Sequence, residues 1–177
     1  MSFGGASLIR RRFKNPQQSV TSIETRFGFS VMYSKDKHIL WTLYLPGQSY
    51  VLLFAVDQQG HLIINEKHGE QGIEATISYQ HFADGSRHAV YFKRDLEETL
   101  LIVDQQEIQV DRLTGGRSLI FMESSEEHFS MPLIVPHDSQ TGEVFIGGVN
   151  EAVPMFMHFK RFKGCISRMF TNLSNAS

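Results

Sequence analysis

Short runs of alternating apolar and polar residues, separated by turn residues, follow one another along most of the chain. Runs of this length at these intervals are typical of strands in an all-β sandwich. Few stretches place apolar residues at the three- and four-residue spacing of an amphipathic helix, so we expect little helix. The predicted fold class is all-β, a two-sheet antiparallel sandwich. Its predicted strands are 27–33, 39–45, 50–56, 61–65, 75–79, 89–93, 99–103, 107–110, 118–122, 144–146 and 166–171.

Turn and loop residues mark the connections between these strands. Asp57-Gln58-Gln59-Gly60 predicts a hairpin turn. The segment 123–142, with its acidic residues and prolines, predicts a long surface loop. A length of 177 residues favours a single domain. We expect residues 1–18 to form a basic extension or a first strand, and residues 19–177 to form the sandwich.

The charge of the chain excludes one class of partner. The chain has 17 Lys and Arg against 19 Asp and Glu, a formal net charge of −2 and an isoelectric point near 6.4. Nucleic-acid-binding domains usually carry a strong basic excess, so we expect no nucleic-acid partner. No apolar run approaches the roughly 20 residues that cross a bilayer, and no signal peptide is recognisable. We expect the chain to be a piece of a longer protein.

Basic residues cluster near both ends of the chain. The clusters consist of Arg10, Arg11, Arg12 and Lys14, and of Lys160, Arg161, Lys163 and Arg168. If the first strand lies beside the last, the clusters merge into one patch. Such a patch suits a sulfated glycosaminoglycan of the heparin type or another anionic glycan, because Arg and Lys bind sulfate and carboxylate groups through charge and hydrogen bonds. The alternative is a solvated surface, or charge that protects an edge strand from aggregation.

Four motifs in a fixed order resemble those of laminin G-like domains of matrix and cell-surface adhesion proteins. They are the hairpin 48–62, the turn and strand start Asp84-Gly85-Ser86-Arg87-His88, the hairpin strand 99–104, and Gly147-Gly148 followed by Phe162-Lys163-Gly164-Cys165-Ile166. The resemblance covers residues 19–174. This sequence departs from the family pattern at three places: Arg87 replaces the usual Trp, Gln105-Gln106 the usual glycine turn, and Ser49 the usual acidic residue.

The resemblance implies a jelly-roll sandwich that acts in recognition and not in catalysis. It implies an extracellular location, in a secreted protein or an ectodomain, and a cell-surface or matrix protein or a sulfated glycosaminoglycan as partner; self-association is left open. Alternating strand residues would fill the space between the sheets. The expected core consists of Phe29, Leu40, Leu52, Phe54, Leu62, Ile64, Val90, Phe92, Leu101, Val103 and Ile146.

The family's usual ion is calcium, which the resemblance would place at one rim of the sandwich. Calcium needs several oxygen ligands with negative charge. Because Ser49 contributes no charge, we expect weak or absent calcium binding, although a shifted alignment would bring in Asp36 or Asp57. The acidic segment 123–127 is a second source of oxygens, or simply a solvated loop. The eight histidines show no zinc-ligand spacing.

Cys165 is the only cysteine, so it has no disulfide partner within this chain. The resemblance implies a disulfide with a cysteine outside the chain; the alternative is a buried free cysteine that acts as a small apolar residue. Asn172-Leu173-Ser174 and Asn175-Ala176-Ser177 match the N-glycosylation acceptor. These matches favour a secreted glycoprotein.

Two other functions are weighed against recognition of protein and anionic glycan. A lectin-like domain would use Trp41 as a stacking platform, but Trp41 lies in an apolar strand and is expected in the core. A jelly-roll glycoside hydrolase would need two facing carboxylates. The sequence shows no such constellation on a predicted strand, and Glu97-Glu98 and Glu126-Glu127 lie in predicted turns. The apolar run 155–159 is expected either to cover one end of the sandwich or to contact a partner.

Overall fold

The computed structural model describes residues 1–5, 7–14, 22–46, 50–95, 99–108, 110–111, 117–118, 141–151 and 153–174. Strands dominate these ranges, and a 3-10 helix spans Pro154–Phe156. The strands are β1 (Ser2–Gly4), β2 (Ile9–Lys14), β3 (Ser22–Ser30), β4 (His38–Leu45), β5 (Tyr50–Val56), β6 (Leu62–His68), β7 (Gln71–Ile77), β8 (His88–Arg94), β9 (Thr99–Val103), β10 (Gln106–Ile108), β11 (Val110–Asp111), β12 (Arg117–Ser118), β13 (Thr141–Ile146), β14 (Lys160–Arg161) and β15 (Lys163–Ser174).

Two antiparallel sheets make up the sandwich, which confirms the predicted fold class. The front sheet has the strand order β1-β15-β3-β8-β9-β10, and the back sheet has the order β2-β13-β4-β5-β6-β7. The short strand β14 joins the back sheet by pairing in parallel with the start of β4. Strands β11 and β12 form a separate two-stranded pair. The predicted hairpin turn at Asp57–Gly60 connects β5 to β6, and Gly60 adopts the left-handed conformation there (φ 77°).

The core between the sheets is aromatic. Phe54 packs edge-on against Phe27, Trp41 and Phe92, with ring centroids 5.6–5.8 Å apart. Each residue of the expected core belongs to this cluster or packs against it. The prediction succeeds because alternate side chains of a strand point to the same face, so the apolar alternation identifies the inner one.

The outer face of the back sheet is buried as well. Residues 149–151 and 153–159 cross it, and Val153, Phe156 and Phe159 pack on the outward-facing side chains of β4, β5 and β13. For this reason all seven residues of β5 are buried. Phe156 and Phe159 are 2% and 7% exposed, whereas Met157 between them is 54% exposed. The apolar run 155–159 therefore covers the sheet and leaves one methionine at the surface.

The ends of several strands differ from the predicted ones. β3 begins earlier than predicted, at Ser22, because the buried residues Ile23 and Thr25 alternate within a stretch that looks polar. It ends at Ser30, and the apolar residues after it, Met32 and Tyr33, are exposed. The predicted strand 118–122 and the predicted loop 123–142 lie mostly outside the described residues. β13, however, already begins at Thr141, before the predicted end of that loop.

Candidate functional site

The N-terminal basic tract forms β2, at the edge of the back sheet beside β13. There Arg10 and Arg12 converge on Glu143. Arg10 binds it through both carboxylate oxygens, with distances of 2.5 Å (Nη2–Oε1) and 3.1 Å (Nε–Oε2), and Arg12 Nε lies 2.7 Å from Oε1. Burial raises the pKa of Glu143, but the two arginines outweigh it, and the pKa is lowered overall. Two of the predicted glycan-binding arginines thus neutralise a carboxylate of the fold.

The start of β2 lies next to the second basic tract. A Cβ added at Gly148 would lie 3.0 Å from Arg161 Cγ and 3.5 Å from Leu8 Cβ, so both residues flank this glycine. Lys163 of β15 pairs with Gly4 of β1. A Cβ added at the next residue, Gly5, would lie 3.7 Å from the Cβ of Lys163. We call the basic residues of the two tracts the basic rim: Arg10, Arg11, Arg12, Lys160, Arg161 and Lys163. Arg11 lies opposite Val144, so its side chain alternates to the other face of β2 from those of Arg10 and Arg12. The side chain of Lys14 lies outside the described residues.

Arg168 does not join the basic rim. It sits in a bulge of β15, where the pairing with β3 shifts between Ser167 and Phe170. Its φ of 51° is in the left-handed region. Arg168 instead lines a groove on the outer face of the front sheet together with Arg26 and Arg87. One predicted site residue is therefore separated from the others by the topology of the sandwich.

The strand register explains how this groove is built. Phe170, Arg26, Tyr91 and Ile102 form one row across β15, β3, β8 and β9. In the neighbouring row Gly28 lies between Ser167 and Ala89. The guanidinium of Arg87 lies over Gly28: its Nε and Nη2 are each 3.0 Å from where a Cβ of that residue would be. We call this groove, which has a volume of about 290 Å³, the arginine groove.

The guanidinium of Arg26 stacks on the ring of Phe170, 4.8 Å from its centroid. This contact turns the edge of the groove into a flat cationic and aromatic surface. In the sequence, Arg87 stands out only because it replaces the usual Trp, and nothing there connects it with Arg26 or Arg168. A signal was nonetheless present, since an arginine at an expected aromatic position places a charge on a sheet face.

A buried histidine fixes the end of the arginine groove. His88 lies between two carboxylates, with Nε2 3.0 Å from Asp84 Oδ1 and Nδ1 2.6 Å from Asp104 Oδ2. Asp104 also accepts hydrogen bonds from the backbone N–H of Ala89 and the side chain of Gln80. The pKa of Asp84 is lowered, first by the backbone N–H of Ser86 and then by His88. Both carboxylates therefore already have partners within the fold.

The β9–β10 turn next to this histidine shows what replaces the usual glycine. Asp104 and Gln105 occupy the turn with φ values of 49° and 69°. A turn with two left-handed residues suits the twist of an antiparallel hairpin. Gln105 thus adopts a conformation that glycine would adopt with less strain, and its exposed side chain lines the arginine groove.

Cys165 is exposed on β15, opposite Ser2 of β1 and Ser30 of β3. The alternative of a buried free cysteine is therefore wrong. The thiol lines a second groove of about 700 Å³, beside the exposed residues Met32 and Tyr33. Its disulfide with a cysteine outside the chain stays a prediction. Asn172, also on β15, is exposed, and Asn175 lies outside the described residues.

Asp57, one of the acidic residues considered for calcium, is already engaged within the fold. Oδ1 of Asp57 accepts hydrogen bonds from the backbone N–H groups of Gln59 and His61 at 2.9 and 2.8 Å, and Oδ2 lies 3.3 Å from the His61 ring. Asp57 therefore stabilises its own hairpin turn. Within the described ranges, no three acidic, histidine or cysteine side chains converge as metal ligands do. Ser49 and the segment 123–127 lie outside those ranges.

Trp41 is fully buried, and its Nε1 donates a hydrogen bond to Thr171 Oγ1 at 3.1 Å. Its indole cannot stack on a sugar in solution, so the prediction of a core role is confirmed. Among the described segments, no helix has the length and apolar character needed to cross a membrane.

Comparisons with known proteins agree with this architecture. The domains LG4-5 of the mouse laminin alpha1 chain superpose with a TM-score of 0.55 at 12% identity, over 98% of this chain and 44% of that one. The LG1-3 region of the laminin alpha2 chain gives a TM-score of 0.65 at 15% identity, over 98% and 31%. A heptameric pentraxin from Limulus polyphemus gives a TM-score of 0.59 at 11% identity, over 96% of this chain and 73% of that one. At these identities the likeness shows the fold alone.

The family follows from the sequence itself. This chain spans less than half the length of the two laminin structures, which contain several domains. A family model described as the laminin G domain matches residues 38–173, from the first residue of β4 almost to the end of β15. That range includes most of both sheets and, of the strands that form the arginine groove, β8, β9 and β15. The chain belongs to the laminin G domain family.

Proposed function

We propose that this domain is a non-enzymatic extracellular recognition module that mediates cell adhesion or matrix binding through protein and anionic-glycan contacts. Membership of the laminin G family supports the proposal, since these domains are typically extracellular binding modules. The burial of Trp41 argues against a lectin that stacks sugars on this residue. The glycan partner is of the heparin type, because such chains carry sulfate groups that arginine and lysine bind well.

The observation that carries the glycan part is the meeting of two basic tracts that lie far apart in the sequence. The start of β2 and the β14–β15 segment flank Gly148. Arg10 and Arg12 are held by Glu143, so the exposed charges that remain for a ligand include Arg11, Lys160 and Lys163. Exposed cations contributed by both tracts attract a polyanion in a salt-dependent manner.

Heparin affinity chromatography tests this proposal. The wild-type chain should elute above physiological salt, and the variant R11Q/K160Q/K163Q should elute at clearly lower salt. Arg10 and Arg12 are left in place because their removal would strand the carboxylate of Glu143. The matched control is R26Q/R87Q/R168Q, which removes the same charge from the outer face of the front sheet and should shift elution less than the rim variant. Flow-through of the wild type, or equal shifts in both variants, would contradict the proposal.

We propose further that this binding does not depend on calcium. The engagement of Asp57 within its own turn supports this, because a carboxylate already bonded to two N–H groups is a poor calcium ligand. Elution should occur at the same salt concentration with about 2 mM calcium and with a chelator. A calcium-dependent shift would show that ligands outside the described residues complete a site.

The extracellular location is part of the same proposal. Exposure of Asn172 and Cys165 supports it, since a glycan and an intermolecular or interdomain disulfide both require an accessible side chain. When the chain is secreted from animal cells, glycosidase treatment should lower its mass, and N172Q/N175Q should abolish that change. A secreted chain with no glycan at either asparagine would contradict the glycosylation part.

A further inference from the structure

The arginine groove combines three cations that lack acidic partners with an apolar floor. In the described part of the chain, no carboxylate forms an ion pair with Arg26, Arg87 or Arg168. All three side chains are exposed. By contrast, Arg10 and Arg12 on the basic rim share Glu143. Three unpaired arginines on one face of a chain with a net charge of −2 form a local anion-attracting surface.

The acids beside the groove do not cancel this charge completely. Asp104 is engaged by His88, by Gln80 and by the backbone of Ala89. Glu24 hydrogen-bonds the Tyr91 side chain and contributes to the raised pKa of that phenol, of which desolvation by burial is the larger cause. The groove therefore offers guanidinium donors and few free acceptors to an incoming ligand.

The floor between the arginines is apolar. Tyr91 and Ile102 lie side by side across β8 and β9, and Gly28 and Ala89 form the adjacent row. A saccharide carries many hydroxyl groups that need both donors and acceptors, and those hydroxyls would be left partly unpaired here. A ligand with an apolar body and anionic groups at its edges fits the surface better.

We propose that the arginine groove binds an acidic peptide segment of a protein partner. Carboxylates of the segment pair with Arg26, Arg87 and Arg168, and an apolar side chain between them rests on Tyr91 and Ile102. The volume of about 290 Å³ matches one or two side chains and not a folded domain. The inference rests on the proposed recognition function but assigns a second surface, on the outer face of the front sheet.

The position of Arg87 supports a built site. Its guanidinium occupies the space that the missing Cβ of Gly28 leaves, 3.0 Å from that point, where Ser167 Oγ also lies at 3.0 Å. Arg26 is similarly held on the ring of Phe170. Arginines that are already placed lose less conformational freedom when a ligand binds.

Fluorescence polarisation with labelled ten-residue peptides tests the proposal, using the purified 177-residue chain made without glycans. The probes are alternating Glu-Leu, Glu-Ser with the same charge, and Gln-Leu with none. The Glu-Leu peptide should bind most tightly and lose affinity with salt. R26Q/R87Q/R168Q should weaken it at least about tenfold, whereas R11Q/K160Q/K163Q should leave it within about twofold. Single variants of the three exposed arginines guard against misfolding of the triple variant, and each should weaken binding with an unchanged melting temperature.

Several outcomes would overturn the proposal. Absence of Glu-Leu binding, equal loss in both triple variants, or equal binding of Glu-Ser and Glu-Leu would each do so. Displacement of the peptide by a heparin hexasaccharide in the rim variant would show that the groove is a glycan site instead. Failure of the heparin experiment with intact peptide binding would contradict the basic rim alone, so the two proposals fail separately.

Discussion

Glu143 is a carboxylate whose ionised form is stabilised by the fold through Arg10 and Arg12. Its pKa is lowered from the ordinary value of 4.5, because the arginines outweigh burial. A carboxylate with a depressed folded-state pKa contributes stability above its unfolded pKa, and this stability is lost as the pH falls through the folded value.

Thermal melts should therefore show a falling melting temperature below about pH 4.5, where the unfolded carboxylate begins to take up a proton. Glu143→Gln should lower the melting temperature at pH 7 by roughly 2–4 °C, for about 1 kcal/mol. In this variant the melting temperature should also fall less steeply with decreasing pH below about pH 4.5. An equally steep fall of the melting temperature in wild type and variant would show that Glu143 is not a source of the pH dependence. The control is Glu151→Gln, at an exposed position.

Gly28 gives a second prediction at the scale of one residue. Alanine at this position would place a Cβ 3.0 Å from both the Arg87 guanidinium and Ser167 Oγ. Because both neighbours are side-chain atoms that can move, Gly28→Ala should change the free energy of unfolding by less than about 1 kcal/mol. It should weaken the Glu-Leu peptide severalfold by displacing Arg87. Unchanged peptide affinity, measured with Gly4→Ala as control, would show that Arg87 need not lie over Gly28.

At the scale of an element, residues 153–159 act as the cover of the back sheet. Phe156 packs against the ring of Phe159, with centroids 5.5 Å apart, and both lie on β4, β5 and β13. Lys67 and Lys37 lie over these two rings at 5.5 and 5.3 Å. The cover thus joins the apolar face of the sheet to a charged surface.

Phe156→Ala should cost about 3–5 kcal/mol, since it opens a cavity under the cover. Met157→Ala removes a side chain that is 54% exposed and should cost less than about 0.5 kcal/mol. Urea denaturation measures both free energies of unfolding. Similar costs for the two variants would mean that the segment does not seal the sheet.

At the scale of the whole molecule, one buried ion pair ties the two sheets together. Arg94 of β8 in the front sheet pairs with Glu66 of β6 in the back sheet, and Tyr50 of β5 donates a hydrogen bond to the same carboxylate at 2.7 Å. Burial, followed by the charge of Glu66, raises the pKa of Tyr50 well above its ordinary value. The three groups form a polar cluster that links the two sheets.

Arg94→Met should destabilise the domain by about 3–5 kcal/mol, because the Glu66 carboxylate is left buried without its cation. The double variant R94M/E66L should recover most of this loss, since neither charge is then buried. Denaturant titration of both variants measures the difference. If the double variant is no more stable than Arg94→Met, the cost arises from packing and not from the stranded charge.

The sequence predicts the sandwich and its core because both depend on local alternation. Leu52 and Phe54, or Val90 and Phe92, face inward for the same reason that they alternate along their strands. The uninterrupted apolar run of β5 also carried a signal that its second face is covered, since strands buried on both faces lose alternation. That signal predicts a cover without saying which segment supplies it.

The sites were less predictable because they are built across strands that are distant in sequence. Nothing near Arg10 or Arg12 indicates that β2 will lie beside β13 and bring Glu143 to them. The arginine groove likewise needs the register of β3, β8 and β15 before residues 26, 87 and 168 share a surface. Local patterns thus identify charged residues, and only the topology decides which of them meet.

The pairing of β1 with β15 has a mechanical consequence. β1 pairs with three residues of β15, Ser2 with Cys165 through Gly4 with Lys163, and Met1 adds two hydrogen bonds to Ile166, whereas β15 pairs along most of its length with β3. Tension applied at the N-terminus would therefore peel β1 away before the rest of the sheet opens. Its departure would bare the backbone edge of residues 163–165 beside the thiol of Cys165, a strand edge ready to accept another chain.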